Sequence, residues 1–159
     1  MTTALALIHS LSLTIWVGGM TVFSFILTPI FFKTFDKQQA GDIVGSVFPA
    51  YFTLGHVCSV LALGSYLWLR TQVETPWGDK ARIALLVVML AGAGINGLVI
   101  GPKSHEIKSQ VRAAATEEAR APLQKEFGKL HGMSMAVNLL LILSGLALVV
   151  MGILFPLRG

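Results

Sequence analysis

Four long stretches of this chain carry no Asp, Glu, Lys or Arg: Ala4–Phe32, Ile43–Leu69, Ile83–Gly101 and Leu130–Leu157. They run 29, 27, 19 and 28 residues, and all twenty charged residues of the 159 lie outside them. A helix needs about 20 apolar residues to cross the hydrocarbon of a bilayer. Inside lipid every backbone amide must be satisfied within its own segment, so each stretch is predicted to be helical. Soluble domains carry about 25% charged residues, whereas this chain carries 13%. The predicted fold is all-α: an integral membrane four-helix bundle forming a single four-span domain. The expected spans are about 3–32, 43–70, 80–101 and 130–156, with a helical cytoplasmic connection at about 103–129. The first stretch reads as a span rather than a cleaved leader. No basic segment precedes it, and it is about twice the length of a leader's apolar region.

Turn residues place the connections. Pro29 predicts a kink or exit near the end of the first span, and the second is expected to begin around Ile43 or at Phe48-Pro49. Pro76-Trp77-Gly78 fits a turn at the water–lipid interface. Gly101-Pro102 is expected to end the third span, and Pro122 to break the connection that follows. Gly18, Gly19, Gly92, Gly94, Gly97, Gly145 and Gly152 are expected to let backbones approach.

The net charge of +4 has no dense basic patch with interleaved aromatics, so nucleic acid is not an expected partner. Lys and Arg instead report orientation. The connections after spans one and three hold eight of them, against four on the opposite side, which predicts that both termini lie outside the cytoplasm. Cys58, the single cysteine, falls inside the second span and permits no intrachain disulfide.

Function in a membrane chain is sought among polar residues within spans. No carboxylate lies in any span, and no phosphate loop, Cys-x-x-Cys pair or metalloprotease helix is present, so enzymatic activity has little support. The ligand-lining candidates are Trp16, Asn96, Ser134 and Asn138; the candidates for a metal or haem are His9, His56 and His131. Counting about 1.5 Å per residue from the face of the 33–42 and 103–129 connections, His131 and Asn96 sit about 5–9 Å in, His56 and Asn138 about 15 Å in, and His9 about 30 Å away. His131, Ser134 and Asn138 share one helical face, which is expected to look into the bundle. Two readings of that face stay open: a small-ligand or cofactor site, and interhelical hydrogen bonding. Such bonds average about 0.6 kcal/mol in membranes. Two axial haem ligands must share a level, so a bis-His site would need a strongly tilted span. A haem held by His56 or His131 alone escapes that constraint.

The segments His9-(six residues)-Trp16-x-Gly18-Gly19, Phe48-Pro49-x-Tyr51-Phe52, Asn96-(five residues)-Pro102 and Phe127-x-x-Leu130-His131-Gly132-x-Ser134-x-x-x-Asn138-Leu139 resemble the transmembrane protein 205-like family. Its bacterial members form domain of unknown function 4149. The resemblance implies a four-span membrane protein, expected in a bacterial inner membrane, and brings no established reaction. Span one alone is also similar to copper-resistance D-type proteins and to membrane protoporphyrinogen oxidases, which pair a first-span His with a Trp/Gly motif. The first expectation for function is a small-ligand transport component or accessory membrane module. The alternative is a membrane redox protein holding haem b or copper through its histidines. The expected partners are the lipid bilayer and a membrane protein or a second copy of the chain.

Overall fold

The computed structural model describes residues 2–73 and 78–156. Pro76 and Trp77 of the interface turn, and Arg158 of the charge count, lie outside the described residues. Four helices account for the fold: α1 (Thr2–Thr34), α2 (Lys37–Leu69), α3 (Asp79–Ala113) and α4 (Glu117–Leu154). Each is long and apolar enough to cross a membrane, and no strand occurs among the described residues. Consecutive helices pack against each other and α4 closes back on α1. Short connections make neighbours antiparallel, giving an up-down-up-down integral membrane bundle.

Capping explains where the helices on the side of the 33–42 and 103–129 connections begin. Asp36 Oδ1 accepts the backbone N–H groups of Gln38 and Gln39, both at 2.9 Å, and so starts α2. Thr116 Oγ1 accepts the Ala119 N–H at 3.3 Å and starts α4. At the other end Gly78, with φ of 86°, takes the left-handed conformation that leads into α3. With 33 to 38 residues each, the helices measure about 50–57 Å. That exceeds the roughly 30 Å of hydrocarbon, so their ends stand beyond it. On the side of the 103–129 connection, Lys108 and Arg112 of α3 both reach Asp42 of α2, and Lys108 also donates to the Gly41 carbonyl at 2.8 Å.

Three turn signals did not act as helix boundaries. The helix continues through Gly101-Pro102, through Phe48-Pro49 and through Pro122. The reason is visible at two prolines. Pro29 and Pro102 each sit two residues beyond a π-helical segment, Phe23–Leu27 in α1 and Ile95–Ile100 in α3. A helical proline removes one ladder bond and clashes with the carbonyl four residues earlier. The wider π turn relieves that clash and lets the helix run on. In α1 the Thr28 hydroxyl adds a bond to the Phe23 carbonyl at 2.8 Å. In α3 a Cβ at Gly101 would lie 2.9 Å from the Asn96 carbonyl oxygen, so the absence of a side chain there belongs to the same device.

The core is a seam of Leu13, Trp16, Val17 and Met20 from α1, Cys58, Ala62 and Tyr66 from α2, Leu86, Met89 and Ala93 from α3, and Leu141, Ile142 and Leu148 from α4. Outside it the bundle presents large apolar side chains all round, including Phe25, Leu98 and Ile153. Lipid gives helices no hydrophobic drive to associate, so close packing at small residues must supply it. Gly92, Gly97 and Gly145 do this, because a Cβ at any of them would collide with a facing side chain. Gly18 and Gly152 do not, since nothing from another element lies within 4 Å of a Cβ there.

Candidate functional site

Near the middle of α2, α3 and α4 the bundle carries a polar layer, which α1 joins at Ser24. Tyr51 of α2 donates its hydroxyl hydrogen to Asn138 Oδ1 of α4 at 2.6 Å. Asn138 Nδ2 donates in turn to Ser24 Oγ of α1 at 3.0 Å. Asn96 of α3 is 1% exposed and directs Nδ2 at the Ser134 carbonyl of α4, 3.4 Å away. Ser24 lies in one π segment and Asn96 in the other. Such insertions occur frequently at functional sites, and here both open toward α4. Trp16, Tyr51, Asn96 and Asn138 border a cavity of about 10 Å³, lined also by Met20, Phe52, Gly55, Ala93 and Leu141. Gly55 leaves the room that Trp16 needs, because a Cβ there would come within 3.2 Å of the indole Nε1.

Three of the four ligand-lining candidates therefore border one cavity. The fourth, Ser134, takes part through its backbone carbonyl. Counting residues had set Asn96 and Asn138 at different depths; the structure brings them to one level. Tyr51 was missed, although it stands on one helical face with Gly55, Cys58 and Ala62. A tyrosine above a row of small residues was the available signal.

The histidines take separate neighbourhoods. His9 meets the Ala62 carbonyl through Nδ1 at 2.9 Å, and its ring lies 5.4 Å from that of Tyr66. His56 donates Nδ1–H to the Phe52 carbonyl at 2.7 Å and rests against Gly97, while its buried Nε2 meets no partner among the described residues. The expectation that His131 shares the inward face is corrected: its side chain is exposed and stacks on Phe127 at 6.1 Å. The buried positions of α4 begin only at Leu141, so the ring lies where the helix extends past the packed seam. Among the described residues, no three of His, Cys, Asp and Glu converge in a set able to hold a metal ion.

A second polar group closes the opposite end of the bundle. Arg82 of α3, 4% exposed, donates to the carbonyls of Met151, at 2.5 Å, and Phe155, caps for the last turn of α4. Beside it the Tyr66 hydroxyl donates to Asp79, which pairs with Arg70 at 2.8 Å.

Fold and layer together define a class, the four-span integral membrane bundles with a polar centre. Within it, the chain belongs to the family described as Domain of unknown function (DUF4149), which its residues 11–113 match. It is 30% identical over 131 residues to an uncharacterized protein of Aquifex aeolicus (strain VF5), an alignment covering 82% of this chain and 83% of the relative. No solved structure matches the chain.

Proposed function

We propose that this chain is a non-enzymatic membrane module that handles a small polar solute at its central layer, as a transport component or as the accessory subunit of one. The observation that carries this reading is the cavity bordered by Trp16, Tyr51, Asn96 and Asn138, beside which the π segments of α1 and α3 meet α4 at two neighbouring residues, Ser24 at Asn138 and Asn96 at the Ser134 carbonyl. Interhelical bonding alone requires no cavity, and the layer holds one of about 10 Å³ among its polar side chains. The layer contains no charged residue, which favours a neutral solute over an ion. The test is stopped-flow permeability of proteoliposomes toward water, ammonia, urea and glycerol. Permeability to at least one solute should exceed that of protein-free liposomes and fall about tenfold or more in Asn138→Leu. Flux at the lipid baseline for all four would count against transport by this chain alone.

Orientation belongs to the same proposal. With Lys and Arg concentrated on the side of α3's and α4's extensions, that side faces the cytoplasm of a bacterial inner membrane and both termini face away. In a Cys58→Ala background, an impermeant thiol reagent added to intact cells should label Gln72→Cys and spare Ser109→Cys. The reverse pattern would invert the topology.

A further inference from the structure

Asn96 is almost wholly buried, yet its Oδ1 meets no hydrogen-bond donor among the described residues. Its side chain lines the central cavity, and Nδ2 is engaged with the Ser134 carbonyl. A buried amide oxygen without a donor costs about 1–3 kcal/mol. In lipid, bulk water cannot relieve that cost. The cavity, at about 10 Å³, matches the space of a single water, about 10–15 Å³ by the same kind of measure. Across it stands Asn138, whose Oδ1 accepts from Tyr51 and keeps a second lone pair.

We infer that the cavity binds one neutral hydrogen-bond donor with a single heavy atom, water or ammonia, which donates to Asn96 Oδ1 and to Asn138 Oδ1. The inference rests on reading the layer as a site, and names what that site takes. A volume of about 10 Å³ has room for one heavy atom. Charge excludes ammonium, because no carboxylate borders the cavity to replace its hydration. The ligand joins the π segment of α3 to α4 at the point where the Asn96–Ser134 bond is long, at 3.4 Å.

The test is NMR of detergent-solubilised full-length protein with ¹⁵N-labelled asparagine. Magnetisation transfer from solvent to the side-chain amides of Asn96 and Asn138 is expected, with the sign of a long-lived complex. It should vanish at Asn138 in Asn96→Leu. The bond to Asn96 does not need the phenol, so transfer to Asn96 should persist in Tyr51→Phe. Its loss there would mark the signal as relayed through the hydroxyl and overturn the inference. Ammonia is then titrated at alkaline pH, with methylamine as the larger control. Transfer with no ammonia-dependent shift identifies water. A saturable shift of both amides with ammonia and not with methylamine identifies ammonia. Neither transfer nor shift overturns the inference. A negative flux result beside a positive NMR result removes transport and leaves the bound ligand in place.

Discussion

Gly145→Ala is expected to destabilise the bundle by about 1–3 kcal/mol, the usual cost of forcing extra volume into a packed interior. The added Cβ would fall within the van der Waals envelope of Val17 Cγ2 and 3.2 Å from Met89 Cε. Both neighbours are buried, Val17 at 6% exposure and Met89 at 0%, so neither can swing out of the way. Relief would require α4 to move off α1 and α3 together. Gly152→Ala is the internal control. It sits one further turn pair along α4, where a Cβ meets nothing within 4 Å. There alanine should be neutral or stabilise by up to about 1 kcal/mol through helix propensity. Unfolding in mixed detergent micelles, followed by far-UV circular dichroism, compares the two. Equal effects at both positions would mean that the close approach of α4 to α1 is not as the structure has it.

Arg82→Met should cost a similar or larger amount, about 3–6 kcal/mol, from two hydrogen bonds to a charged donor worth about 1.5–3 kcal/mol each. Methionine keeps the apolar stem but leaves the carbonyls of Met151 and Phe155 without the guanidinium. The loss should be local before it is global. Amide hydrogen exchange in the last turn of α4 should accelerate while that of the central layer is unchanged. Arg82→Lys retains the charge without the two-pronged geometry and should recover part of the effect. Exchange rates indifferent to all three residues would show that Arg82 does not cap α4.

The spans were legible because lipid enforces one rule: charged side chains stay out, and helices fill what remains. Asp36 and Thr116, the residues that cap α2 and α4, bracket two of them. The helix ends were less legible. Pro49, Pro102 and Pro122 read as punctuation, but the helix runs through each, and a π segment removes the clash at Pro102 and at Pro29. No residue spacing announces a π turn. Its effect was to rotate Ser24 and Asn96 toward α4, which counting at a uniform rise and period cannot capture. That is why Trp16, Asn96 and Asn138 were found as candidates while their common cavity was not. His131 shows the opposite failure. Its spacing from Ser134 and Asn138 places it near their face, but an exposed arc lies only a fraction of a turn away. Arg82 entered the sequence reading only as one of the four Lys and Arg counted on the far side, since nothing in its neighbours marks the carbonyls of a helix some seventy residues later.

The central claim is that the polar layer is a site and not glue between helices, and Asn96→Leu separates the two most directly. The measurement is the unfolding free energy of the variant in mixed micelles, beside that of Asn138→Leu. Asn96 contributes one long bond and one acceptor that no protein donor meets, so its removal as a ligand group should change stability by less than about 0.6 kcal/mol, the average of one interhelical bond in a membrane. Asn138→Leu breaks two short interhelical bonds, to Tyr51 and Ser24, and should cost measurably more. A loss in Asn96→Leu equal to or greater than that in Asn138→Leu would show that Asn96 holds helices together, and would contradict the assignment of the layer as a site.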